Sequence, residues 1–517
     1  MPNFDLTALA HMDELKTQTP FDTEHVYKEL KTCHERELSD NKIVPTLQDA
    51  IRLCGLKDGM TISFHHHFRN GDFVVNKVMA VIAQMGIKAL VLAPSSLIDI
   101  HKPLIDHIRN GVVRRIETSG LRGELAEEIS HGLMEVPVVF RSHGGRAAVI
   151  ETGELPIDIA FIGAPSCDPL GNANGYSRDN DKGIVCGAMG YAKLDAQHAR
   201  KVVILTDNIV PFPNVPFGIP ESDVDYIVEV DAIGDPNGIM SGATRYTTNP
   251  KELMIAQKVA EVIEATDFFR NGFSLQMGSG GASLATVRFM KEKMLKKKIK
   301  ASFALGGITG QIVQLHEEGL IKKILDVQSF DLEAARSLKD NRFHQQISAS
   351  YYASPNSKGS AVNQLDFVVL SALELDVDFN VNVLTGSDGV IRGAIGGHCD
   401  TAAGASVAII TCPLTRGRIP TIVDRVNTIV TPGKTIDIVV TDQGIAVNPI
   451  RSDLMKMMER AGIDLCTIEE LRDKARRIVG QGTPIAYTDR VVGVVTYRDG
   501  SVIDLIYQVK DDQETED

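Results

Sequence analysis

The chain repeats itself. When IDIAFIGAPSCDPLGNANG (157–175) is set above LDFVVLSALELDVDFNVNV (365–383), Asp158 falls on Asp366, Ala164 on Ala372, Asp168 on Asp376, Asn172 on Asn380 and Asn174 on Asn382. After a small length difference, GIVCGAMGY (183–191) falls on GVIRGAIGG (389–397). The beginnings of the halves also correspond loosely. KDGMTISFHHHFRNGDFVVNKVM (57–79) reads strand, loop, helix, as does RNGFSLQMGSGGASLATVRFM (270–290). Asp, Gly and Asn recur at strand ends by chance, but here order, spacing and both flanks agree. The chain therefore reads as two copies of one unit.

The unit is α/β. Strand-like apolar runs alternate with amphipathic helical segments, as in NKVMAVIAQMG, IKALVLAP and KPLIDHIRNG, then KVVILTD and KELMIAQKVAEVIEATDFF. That alternation predicts helices layered on a mainly parallel sheet. The polar, helix-like segment 1–44 reads as an N-terminal arm, 45–248 as the first domain, 249–510 as the second, and DDQETED (511–517) as an acidic tail.

At 517 residues the chain is long enough for two or three domains with sizeable cores, and a net charge of -13 argues against general binding to nucleic acid or acidic membranes. The start, MPNFDLTALAHMDELK, has no basic region followed by an apolar one, so no secretory signal is expected. No stretch supplies the ~18 apolar residues of a membrane span. Seven scattered cysteines without a CxxC pair fit a reducing cytoplasm and no structural zinc.

The two copies differ where chemistry could sit. Glu374 stands where the first copy has Ser166, beside the strand-like run Phe367 to Leu370. A carboxylate there is costly unless it is paired, hydrogen-bonded or used. Gly396 and Gly397, in RGAIGGHCD, can bring backbone amides close to a ligand. A carboxylate at a strand end with a glycine turn nearby suits acyl transfer, the carboxylate attacking or orienting and the amides stabilising an oxyanion. A strand-end glutamate also serves simply to cap backbone.

Gly278, Ser279, Gly280 and Gly281 lie between a strand and a helix; they match neither a P-loop nor a dinucleotide fingerprint. Free amides at a helix N-terminus still favour an anion. At the equivalent place in the first copy stand His65, His66 and His67 with Arg69 and Asn70. Neighbours on an extended segment point to opposite faces, and no carboxylate or cysteine sits at ligand spacing, so no metal site is expected. The group better suits a polycarboxylate, and a purely structural loop is the alternative.

SALELDVDFNVNV followed by RGAIGG resembles the CoA-transferase superfamily: a glutamate, an acidic residue two later, a turn, and a glycine-pair loop. Within it the chain is similar to the family of citrate lyase alpha subunits over nearly its whole length, including FHHHFRNGD, IETSGLRG (116–123), RSHGGRA (141–147) and CDPLGNANG (167–175). The resemblance implies two tandem domains of the NagB/RpiA/CoA-transferase type with the active site at their interface.

It also implies a transferase that exchanges acetyl for citryl on the CoA-like thioester of an acyl carrier protein. The lyase (beta) and carrier (gamma) subunits would be its partners, in a larger complex in which this chain is itself a homo-oligomer. No cofactor would be bound by the chain itself, and acetyl-CoA could substitute for the carrier. Citrate would be held by Arg69, Asn70 and one or more of His65 to His67, with Ser142 and His143. The thioester carbonyl would lie at Gly396 and Gly397, and its arm near Gly278 to Gly281. In related CoA-transferases the glutamate matching Glu374 becomes a covalent thioester, whereas citrate lyase is assigned to a class in which none forms. Glu374 is thus nucleophile, base or orienting group. Two rivals remain: a CoA-transferase or hydrolase with Glu374 as covalent nucleophile, and a ligand sensor of the same fold without chemistry.

Overall fold

The computed structural model of the chain describes residues 41–178, 185–240 and 247–510. The arm expected at 1–44 lies, up to residue 40, outside the described residues, as do the tail 511–517 and part of the boundary loop 244–250. Ile43–Val44, the end of that arm, is a strand at the edge of a sheet rather than helix.

Two large sheets carry the described residues. In the first, seven adjacent strands lie in the order Val138–Phe140, Val113–Thr118, Leu90–Leu92, Thr61–Ser63, Ile159–Gly163, Lys201–Thr206, Tyr226–Glu229, all parallel. In the second the order is His344–Gln346, Ile324–Ser329, Phe303–Ile308, Ser274–Met277, Phe367–Ser371, Val407–Thr411, Ile438–Val440, again all parallel. Taken in chain order, the seven strands of one sheet occupy the same places as the seven of the other. The duplication seen in the residues is therefore a duplication of topology.

The shared residues explain why the copies keep one register. Asp158 accepts the Thr61 amide at 2.8 Å, and Asp366 accepts the Ser274 amide at 2.8 Å, so each ties the start of the central strand to its neighbour. Asp168 Oδ1 accepts the amides of Leu170, Gly171 and Asn172, and Asp376 Oδ1 those of Asp378 and Asn380. Asn172 Oδ1 receives the Glu221 amide, and Asn380 Oδ1 the Gly433 amide. Asp and Asn recur because each short side chain closes a turn that leaves backbone donors unmatched.

Both faces of the second sheet are covered. Phe367 and Val369 pack into one cluster with Val407 and Ile409, while Val368 and Leu370 pack into another with Ala408 and Ile410. Alternation with no polar face is what a parallel strand between helical layers requires. The long helix Gly281–Lys297 buries Leu284, Val287, Met290 and Met294, three and four residues apart, and away from that face it carries the first lysines of KEKMLKKKIK (291–300), the last two lying past its end. Lys291 pairs there with Glu318 at 2.7 Å.

A cut that assigns all of 249–510 to the second unit does not follow the strands. The hairpin Tyr487–Thr496 and Val502–Val509 returns to the first sheet, its first strand lying parallel to Val138–Phe140. Among the described residues no helix is long and apolar enough to cross a membrane.

Candidate active site

Strands of both sheets end at one cavity of ≈ 810 Å³. His66, Ser96, Ser119 and His143 follow strand ends of the first sheet, and Gln276, Gln328, Leu370 and Thr411 end strands of the second. Crevices at the carboxyl ends of parallel strands are the usual place for a ligand. Here two such ends face one another. Backbone bonds join the walls: Leu121 N donates to Gly393 O at 3.1 Å, Ile395 N to Ser119 O at 2.7 Å and His143 N to Gly396 O at 2.8 Å. Gln328 Nε2 reaches across to His66 O at 3.1 Å.

The three histidines separate by face, as an extended segment requires. His66 lines the cavity; His65 and His67 do not, and their rings stack on each other with centroids 6.1 Å apart. His65 Nε2 lies 3.8 Å from Asp195, which pairs with the buried Arg146, and His67 Nε2 bonds Gly163 O at 2.9 Å. His65 and His67 are therefore part of the interior of the first half, and only His66 can meet a ligand. Arg69 lines the cavity and Asn70 does not, its buried Oδ1 lacking a protein partner. Ser142 is also withdrawn: it caps the helix His143–Glu151, accepting the Gly145 amide, and donates to Asp400 at 2.9 Å. His143, the first residue of that helix, faces the cavity. Among the described residues no group of three His, Cys, Asp or Glu could hold a metal ion.

Every glycine singled out in the second half reaches the wall. Gly278, Ser279, Gly280 and Gly281 lead into the helix Gly281–Lys297, whose first-turn amides and positive dipole end favour an anion. Gly396 sits at φ +56, a backbone region that an L side chain rarely adopts. A Cβ on Gly397 would fall 2.3 Å from the Tyr352 hydroxyl oxygen, so only glycine fits there.

Glu374 does not line the cavity, although its neighbours Ala372 and Leu373 do. The residue is 6% exposed, and its carboxylate is turned into amides. Oε2 accepts from Asn382 Nδ2 at 3.0 Å and the Asn427 backbone at 3.1 Å, and Oε1 accepts from Asn427 Nδ2 at 3.0 Å. Burial raises its pKa, and those bonds oppose the rise. In the first half Ser166 occupies the same place and accepts from Asn214 Nδ2 at 3.1 Å. The residue exchanged between the copies thus begins a short strand and bonds an asparagine side chain in both.

Most of the charge facing the cavity is cationic, Glu252 being the one carboxylate among the lining residues described. Arg69 is brought down to about 10 by burial, with the neighbouring charge of Arg122 adding to it, and burial also lowers Arg122 against the pull of Asp99. Burial holds His66 well below its ordinary value, and with the charge of Arg146 it brings His143 to about 3. Both imidazoles are therefore neutral at pH 7. Tyr191 packs on both, its ring 5.3 Å from His66 and 4.4 Å from His143, and the two imidazoles stack on each other at 5.9 Å.

Behind His143 stands Asp400, raised to about 6 by burial. It accepts from Ser142 and from the Gly144 amide, both at 2.9 Å, with Arg498 Nε 3.6 Å away. Arg122, Ser119, Gln276, Gln328, Tyr191 and Tyr352 are wall residues that motif reading did not single out. Only Arg122 and Ser119 carried a signal, the strand-end stretch TSGLRG before a helix.

The family model of the citrate lyase alpha subunit matches residues 40–509. A citrate lyase alpha chain of Haemophilus influenzae is 59% identical over 476 residues, 92% of this chain and 94% of that one. A crystal structure of a Streptococcus mutans citrate lyase alpha subunit in complex with citrate matches with a TM-score of 0.89 at 57% identity, covering 92% of this chain and 93% of that one. A Pseudomonas malonate decarboxylase hetero-tetramer in complex with malonate shares the fold, with a TM-score of 0.63 at 17% identity over 87% of this chain and 88% of that one.

Proposed function

The chain belongs to the citrate lyase alpha-subunit family, and on that premise we propose that its cavity exchanges acetyl for citryl on a thioester by direct attack of citrate. The chain is the transferase of its complex. The thioester is carried by a CoA-like arm on a separate carrier subunit, and cleavage to oxaloacetate falls to another subunit. The Streptococcus mutans relative in complex with citrate supports citrate as the ligand.

One observation carries the reading: two half-buried guanidinium groups, Arg69 and Arg122, line the same cavity as the Gly396–Gly397 turn. Bringing a citrate carboxylate to an acetyl thioester means holding a polyanion out of water. Guanidinium groups do this with paired donors, and desolvation strengthens the attraction. Neutral His66 and His143 add hydrogen-bonding groups without titrating near pH 7. The thioester carbonyl lies at Gly396 and Gly397, and the arm runs to the helix end at Gly278 to Gly281. A carboxylate oxygen bonds to the acetyl carbon, the thiolate leaves, and a mixed anhydride results. The thiolate then attacks the citryl carbonyl and expels acetate. Holding both partners near attack distance is worth ~7–11 kcal/mol.

Glu374 acts here through position. It holds Asn382 and Asn427 in the turn beneath the wall and forms no bond to substrate. The test is to incubate the chain with acetyl-CoA, and separately with acetylated carrier, and labelled citrate, and to follow citryl thioester. Citrate-dependent transfer without an enzyme adduct supports the reading. An adduct on Glu374 moves the chain to the covalent CoA-transferases, and citrate binding without turnover on either donor points to a sensor.

A further inference from the structure

We propose that Tyr352 is a catalytic residue, its hydroxyl donating to the oxyanion that forms on the thioester carbonyl, with Gln276 holding it in place. This rests on the reading above, which puts that carbonyl at the Gly396–Gly397 turn.

Tyr352 belongs to the short helix Ala349–Ala353 and is 2% exposed, yet its side chain lines the cavity. Its hydroxyl oxygen sits against Gly397, in the space that a β-carbon there would need. Gln276 Nε2 donates to that oxygen at 2.9 Å. Among the described residues Gln276 is the hydroxyl's one hydrogen-bond partner, and with Nε2 turned to the phenol its proton is left for a ligand, Gln276 Oε1 having no partner of its own. A buried phenol with an unplaced proton is costly in a finished interior but useful beside a reacting carbonyl. Burial, with Asp400 and Cys399 nearby, pushes its pKa up, opposed by the Gln276 bond. Tyr352 therefore stays protonated at neutral pH and acts as a donor. Gln276 is itself part of the wall, at the strand Ser274–Met277, which fixes the direction of the phenol from the sheet.

When a citrate oxygen bonds to the thioester carbon, the π pair of the carbonyl moves onto its oxygen. The Tyr352 O–H hydrogen-bonds that charge without giving up its proton. Collapse re-forms the carbonyl and breaks the C–S bond, and the thiolate leaves. The second attack, of thiolate on the citryl carbon, raises the same charge, and its collapse releases acetate. No proton is gained or lost across the two steps.

Tyr352→Phe removes one oxygen and keeps the ring. Loss of one such donor is expected to lower kcat roughly 10²–10³-fold. KM for citrate and for acetyl-CoA should stay within about threefold, because the interaction is made only in the transition state. Gln276→Leu, which leaves the phenol but loosens it, should lower kcat less, again without a change in KM. If Tyr352→Phe does not fold, 3-fluorotyrosine at 352 asks the same question with a more acidic donor in nearly the same volume. A changed kcat at constant KM supports the assignment. A folded Tyr352→Phe with wild-type kcat, a loss confined to KM, or an unchanged fluorotyrosine rate overturns it and leaves the proposed function standing. Failure of the wild type to form citryl thioester from either acetyl-CoA or acetylated carrier would overturn both.

Discussion

Glu374→Gln separates a positioning carboxylate from a reacting one. The carboxylate accepts three hydrogen bonds, two at Oε2 and one at Oε1, all from amide donors. A glutamine oxygen can replace Oε2, but its NH₂ then meets Asn427 Nδ2, donor against donor. A buried donor left unsatisfied costs about 1–3 kcal/mol, so the variant should lose stability of that order. If the whole loss appeared in the barrier, kcat would fall by roughly 5–150-fold. Removing a covalent nucleophile costs far more, on the order of 10⁶-fold in a serine protease. The assay pairs urea denaturation with initial rates of citryl-CoA formation. A moderate loss in both is expected, with no adduct detectable on the wild type. A fully stable variant whose transfer has fallen beyond about 10⁴-fold would refute the positioning argument.

Two further outcomes follow from the cavity. Asp400 titrates at about 6 in the folded chain, above the ~3.9 of an exposed aspartate. The folded state therefore keeps a proton that the unfolded chain releases, and this contribution to stability is full below pH ~4 and lost as pH rises through about 6, up to ~3 kcal/mol. Asp400→Asn should flatten the stability curve over that window, and an unchanged slope in urea titrations would contradict it. Arg122→Met keeps side-chain volume but removes one charged donor group, worth about 1.5–3 kcal/mol, so KM for citrate should rise roughly 10–150-fold. KM for acetyl-CoA should not move, and equal effects on both substrates would argue against a citrate contact.

The repeat made the fold legible because its residues do local work. Asp158 and Asp366 tie strands, and Asp168 and Asp376 close turns, so the pattern survives where apolar residues have drifted. The glycine segments were legible for a similar reason, since close approach and positive φ leave few alternatives to glycine. Glu374 was harder to read. The cost of a charge beside a strand was evident, but its relief comes partly from Asn427, 53 residues on, which no short motif contains. His65 and His67 were grouped with His66 by adjacency, and period two separates their faces without saying which one meets the cavity. Ser142 fits a binding residue by type, yet a hydroxyl before a helix is as readily its cap, and here it is. Tyr352 and Gln276 come from distant elements whose approach depends on the strand order. The terminal hairpin looked like part of the second half because chain order hides its return to the first sheet.

Direct transfer is most sharply tested by where the oxygen goes. With citrate labelled by ¹⁸O in its carboxylates and a single turnover of acetyl thioester, direct attack makes one citrate oxygen the bridge of the mixed anhydride. Acetate leaves with that oxygen. Mass spectrometry of the acetate should therefore find one ¹⁸O per molecule from the first turnover. Unlabelled acetate, with ¹⁸O appearing instead in the Glu374 carboxylate, would contradict the account and make Glu374 the nucleophile.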